Sequence, residues 1–111
     1  MKKVMISQPM KDKTQEEIIK ERDNAKKYLE SKGYEVVNTF FEEDWSKEIG
    51  NSIIHESLFF LGKSIAYMSQ CDAIYFASGW ALARGCRVER LTAILYGIEI
   101  ITDEEKDEKS D

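Results

Sequence analysis

The chain has 111 residues, of which 42% are hydrophobic and 33% charged. That balance fits one globular domain with room for a single core and excludes a disordered chain. A formal net charge of −5 argues against non-specific attraction to nucleic acid or to anionic membranes. No apolar run reaches the length of a bilayer span, and Met1-Lys2-Lys3-Val4-Met5-Ile6 lacks the long apolar core of a secretion signal. The expected location is therefore the cytoplasm. Two cysteines, Cys71 and Cys86, and one histidine, His55, show no ligand-like spacing, so neither a metal nor another cofactor is expected.

Residues Lys3 to Ser7 read as a first strand around Val4-Met5-Ile6. Gln8-Pro9-Met10-Lys11-Asp12-Lys13 is a loop in which Pro9 fixes the turn. Thr14-Gln15-Glu16-Glu17 is a capping box, so a helix starts at Thr14, with Ile18, Ala25, Tyr28 and Leu29 on its inner face. Gly33 suits the left-handed stop that ends it. Tyr34 to Asn38 is the second strand. Thr39 to Asn51 is a looser segment with Phe40, Phe41 and Trp45 among acidic residues. A second helix runs from about His55 to Gln70, with Leu58, Leu61, Ile65 and Met68 at helical spacing. Phe59, Phe60 and Tyr67 give it apolar residues on another face, which points to a subunit interface. Asp72 to Ala77 is the third strand, opened by an aspartate suited to closing the turn. Ser78 to Arg84 is a connection, Cys86 to Tyr96 the third helix and Ile98 to Ile101 the fourth strand. Residues 102–111 form a charged tail, expected to be disordered, after a domain spanning 1–101.

Strands alternating with helices predict an α/β fold. The expectation is a Rossmann-like (flavodoxin-like) parallel sheet of four to five strands with helices on both faces. Ligands of such sheets sit outside the carboxyl ends of the strands. Those ends are Ser7-Gln8-Pro9-Met10, Asn38-Thr39-Phe40 and Ala77-Ser78-Gly79-Trp80, and Arg84, Arg87 and Glu89 at the start of the third helix face the same edge.

Within that helix, Gly85, Glu89, Ala93 and Gly97 recur every four residues and lie near one stripe. Small residues there let the helix sit tight on a sheet. The exception is Glu89, a carboxylate expected in the first turns, where the helix dipole favours its ionised form. A buried-side anion is costly unless it has a task. Without a metal or a histidine, one covalent use for it is attack on an anomeric carbon through an oxocarbenium-like transition state. Arg84 and Arg87 are candidates to bind a phosphate or to hold Glu89, and Trp80 is a candidate stacking wall for a flat base. Against these stand plainer roles: a dipole-pairing carboxylate for Glu89, surface ion pairs for the arginines, packing for Trp80.

Ile6-Ser7-Gln8-Pro9-Met10, the Asp72-Ala73-Ile74-Tyr75-Phe76 strand and the Gly85–Gly97 stripe, in this order, resemble the nucleoside 2-deoxyribosyltransferase superfamily. The closest likeness is to a small branch marked by a run such as Ala83-Arg84-Gly85-Cys86-Arg87-Val88-Glu89. The resemblance covers Val4 to Ile101. It implies a Rossmann-like sheet in a homodimer or larger assembly, with neighbouring subunits completing the sites. It implies that Glu89 attacks C1′ of a nucleoside or nucleoside 5′-monophosphate, either to hydrolyse the N-glycosidic bond or to transfer the sugar to another base. Ser7, Gln8, Pro9, Met10, Ser64, Ser78, Gly79, Trp80, Arg84, Gly85 and Arg87 would then line the substrate site. The sequence departs from the family in two places. Ser64 stands where the family carries an aspartate that assists proton transfer, and serine is no acid near neutral pH. Leu91 stands where the family often has glycine. The alternative is a non-catalytic nucleotide-binding protein, a sensor or sequestering protein, on the same fold.

Overall fold

Val4, Met5, Ile6 and Ser7 are all buried in succession, which only a strand covered on both faces allows. In the computed structural model, which describes residues 1–38 and 54–102, they belong to β1 (Lys3–Ser7). There follow α1 (Gln15–Ser31), β2 (Glu35–Val37), α2 (Glu56–Met68), β3 (Ala73–Phe76), a short 3-10 turn (Trp80–Leu82), α3 (Arg84–Tyr96) and β4 (Glu99–Thr102). Among the described residues the sheet has four strands in the order β2-β1-β3-β4, every pair parallel. The α/β class with a parallel sheet is therefore as expected. Phe40, Phe41, Trp45 and the charged tail lie outside the described residues.

Strand alternation splits the core in two. Val4, Ile6, Tyr75, Ala77 and Ile101 face α1 and pack on Ala25 and Leu29. Met5, Ile74 and Phe76 face the other side, against Met68 of α2 and Cys86 and Ala93 of α3. Phe76 and Ile74 are fully buried. Burying such a side chain contributes roughly 1.5–3 kcal/mol each, so β3 is a main source of the sheet's stability.

The helix ends follow their sequence signals. The Glu17 amide donates to Thr14 Oγ1 at 3.1 Å, as the capping box requires. Gly33 adopts φ +90°, and the Tyr34 amide closes back on the Leu29 carbonyl at 3.1 Å. The Asp72 carboxylate accepts from the Lys3 amide at 2.8 Å, tying the start of β3 to β1. Two details differ from the sequence reading. Helix α3 begins at Arg84 rather than Cys86. Of the apolar residues read at helical spacing on α2, Leu58 in the first turn is 62% exposed, whereas Met68 at the far end is buried.

Candidate functional site

The chain leaves β1 toward β2 on one side and leaves β3 toward β4 on the other, so the two strand ends part at a topological switch point. Ser7-Gln8-Pro9 and Ala77-Ser78-Gly79 flank it. The Ala77 amide donates to the Ser7 carbonyl at 2.9 Å, holding the two ends side by side. Beyond them Gly79 adopts φ +88° and starts the 3-10 turn, and Pro9 lies in van der Waals reach of it.

The pleat sends Ser7 to the α3 side and Gln8 to the α1 side. Ser7 Oγ donates to Glu89 Oε1 at 3.1 Å, and both residues are buried. Gln8 Nε2 donates to the Ile18 carbonyl at 2.8 Å, which orients the amide and leaves its buried Oε1 without a hydrogen-bond partner. An unpaired buried acceptor is a standing cost.

Glu89 is the sixth residue of α3 and so lies beyond the first turn, where the helix dipole acts most strongly. Burial therefore dominates its chemistry. It pushes the Glu89 carboxyl up to about 7, against the hydrogen bond from Ser7 and the positive charge of Arg22, which both pull it down. The expectation of a dipole-stabilised anion is corrected accordingly: the carboxyl is poised between its two forms near neutral pH.

The cation that acts on Glu89 is Arg22 of α1, while Arg84 and Arg87 are exposed. Arg22 is itself partly desolvated: burial lowers its basicity and the charge of Glu89 restores part of it. The sequence held a signal for it. Ile18, Arg22, Ala25 and Leu29 fall on one helical stripe, three of them buried, so Arg22 occupies an inward position. Cys86, one turn before Glu89, is also buried. Burial and the charge of Glu89 push its thiol up, while Ser7 and Lys13 pull it down, with burial the largest effect. It is an inert thiol, not a nucleophile.

The structure thus brings Ser7 and Glu89 into contact and adds Arg22. It places other expected site residues nearby or elsewhere. Gly85 packs close to Leu61, its Cβ position 3.8 Å from that side chain, and so seats α3 on α2. Met10 is exposed at the loop tip, and Ser64 is half-buried on α2. The hydroxyl on Glu89 is that of Ser7, not Ser64. Trp80 packs on Phe76, ring centroids 5.9 Å apart, and the Arg90 guanidinium lies 4.8 Å from the centroid of its ring.

Two open clefts flank α1 at this edge. One, of about 310 Å³, is lined by Ile6, Ile19, Arg22, Lys26, Val36 and Asn38. The other, of about 380 Å³, is lined by Ala25, Tyr75, Ala77, Ser78, Gly79 and the Lys13–Glu21 ion pair at 2.9 Å. Both have the size of a small-ligand site. Neither is lined by Ser7, Gln8 or Glu89; Arg22 lines the first and acts on Glu89 through its charge.

No protein-family model, characterised protein or solved structure matches the chain. What it does is therefore read from its own residues. Among the described residues no three His, Cys, Asp or Glu side chains are grouped to hold a metal, and no helix is long and apolar enough to cross a membrane.

Proposed function

We propose that the chain cleaves or transfers at the N-glycosidic bond of a nucleoside or nucleoside 5′-monophosphate in the cytoplasm, with Glu89 as nucleophile. The observation that carries this is the buried Ser7–Glu89 contact at the switch point of a parallel sheet. A carboxyl group buried there is a costly arrangement that a covalent role explains. The resemblance of the Ser7–Met10 loop and the Glu89 stripe to the deoxyribosyltransferase pattern supports the same assignment.

In the first step the Glu89 carboxylate bonds to C1′ and the C1′–N bond breaks, the base taking its electron pair and a proton from water. In the second, water or another base bonds to C1′ and gives its proton to the hydroxide left by the first step, while the Glu89 ester bond breaks and its electron pair restores the carboxylate. Ser7 steadies the ionised carboxylate by donating to it. Gln8, with a spare acceptor, suits an N–H or O–H group of the substrate. Arg22, beside the first cleft, is better placed than Arg84 or Arg87 to offset the charge of Glu89 or of a phosphate.

Ionisation of Glu89 is required for attack, so activity rises with pH through about 7. The test is release of free base from a panel of nucleosides and 5′-monophosphates, with and without an acceptor base, by wild type and Glu89→Ala. Release that vanishes in the variant supports the assignment; equal release by both overturns it.

A second reading, a nucleotide-binding protein without turnover, is favoured by one observation: no acid replaces the family's aspartate at Ser64, and the hydroxyl on Glu89 comes from Ser7. It calls for a ligand bound and recovered intact.

A further inference from the structure

A buried tyrosine hydroxyl normally finds a hydrogen-bond partner. Tyr75 is an exception. It lies within β3 on the α1 side of the sheet, 2% exposed, and its ring packs on that of Tyr28 with centroids 6.2 Å apart. Its hydroxyl makes no hydrogen bond to any described residue. On the other face of the same strand, Phe76 fills the core with no hydroxyl at all. Packing therefore explains the Tyr75 ring and leaves its hydroxyl without a task.

Tyr75 lines the second cleft, of about 380 Å³. The apolar part of that lining is small, Ala25 and Ala77, so space over β3 that larger side chains would fill stays open. Asn24 stands beside it in the middle of α1, where asparagine is a poor helix former. Ser78 adds a second hydroxyl. The two hydroxyls and the amide can each donate and accept. A phosphate would call for donors alone and an ammonium for acceptors alone. The charges in the lining, Lys13 and Glu21, are paired with each other at 2.9 Å. A flat heterocycle would call for an open aromatic face to stack on, and the buried Tyr75 ring offers none. What matches neutral groups that both give and take hydrogen bonds is a molecule whose own groups do the same, as the hydroxyls of a sugar do.

We propose that this cleft binds a small uncharged polyhydroxy molecule of about pentose size, held by the Tyr75 hydroxyl, the Asn24 amide and Ser78. Ser78 and Gly79, which the sequence places at the substrate site, line this cleft. Ser7 and Glu89 meet on the α3 side of the sheet, whereas Tyr75 faces α1, so the site is separate from that contact. The proposal does not rest on the glycosidic activity.

Amide NMR spectra of the isotope-labelled full chain, titrated in parallel with ribose, adenine and inorganic phosphate, test this. Ribose is expected to give saturable shifts at the amides of Asn24, Ala77, Ser78 and Gly79. Tyr75→Phe keeps the ring and removes only the hydroxyl, so it is expected to fold as wild type does and to bind ribose roughly three- to tenfold more weakly, the loss of one hydrogen bond. Asn24→Ala, at an exposed position outside the core, is expected to weaken ribose to a similar degree whether or not Tyr75→Phe folds. The absence of saturable shifts at the cleft overturns the proposal, as do ribose shifts centred on Ser7 and Glu89. So does an affinity for ribose unchanged in Asn24→Ala and in folded Tyr75→Phe, or tighter binding at the cleft by adenine or phosphate than by ribose.

Discussion

Replacing Glu89 by glutamine removes a charge while keeping shape and an acceptor for Ser7. The folded protein holds the Glu89 proton up to about pH 7, whereas the unfolded chain releases it near the ordinary value of 4.5. Between those values the folded state binds more protons than the unfolded one. The stability due to the protonated group is thus fully present below pH 4.5 and is lost as pH rises through about 7. The difference of about 2.5 pH units corresponds to roughly 3 kcal/mol. Glutamine does not titrate, so the variant escapes this loss. The variant should therefore gain about 3 kcal/mol on wild type between pH 4.5 and pH 8, or on the order of 10 °C in melting temperature. Urea unfolding followed by tryptophan fluorescence at the two pH values measures it, and titrations common to both proteins cancel in the difference. The same stability difference at both pH values would refute the argument, because it would mean that Glu89 titrates alike folded and unfolded.

Other expectations follow from neighbouring contacts. Ser7→Ala removes the donor that favours the carboxylate, so the rising limb of the pH–rate profile should move upward by about one pH unit. Arg22→Gln should move it the same way, and should weaken a 5′-monophosphate more than the parent nucleoside, read as a rise in KM. Gly79→Ala should cost roughly 1–2 kcal/mol from its φ of +88° alone, since the Cβ itself meets Pro9 only at 3.6 Å; thermal unfolding reads it. Leu29→Ala, in the fully buried core under α1, should cost roughly 2–5 kcal/mol in urea unfolding.

The frame was largely legible in the sequence because its signals are local. Thr14 caps, Gly33 stops the first helix in the left-handed conformation, and unbroken apolar runs at Val4–Ile6 and Ala73–Phe76 mark central strands, whereas Gly97, read as part of the packing stripe, is instead the left-handed cap beyond α3. The Glu89 stripe gave the inward side of α3 correctly, and with it the one carboxyl group buried among the described residues. The partners of Glu89 were not legible. Ser7 is 82 residues away and meets it only because β1 and α3 pack together. Arg22 hides among the charged residues of α1 and shows only on the Ile18–Leu29 stripe. Nor did spacing reveal that desolvation outweighs the helix dipole at Glu89, since that depends on how deep in the helix the residue falls once the start at Arg84 is known.

The most direct measurement of the central claim is free-base release by wild type and Glu89→Gln across pH 5 to 9, using nucleosides and their 5′-monophosphates. The expected result is release by wild type that climbs through about pH 7, and none by the variant, which folds as well or better. Release by Glu89→Gln at the wild-type rate would show that the carboxylate takes no part in the chemistry. No release by wild type from any substrate, with ligand recovered intact, would contradict catalysis and leave a binding protein.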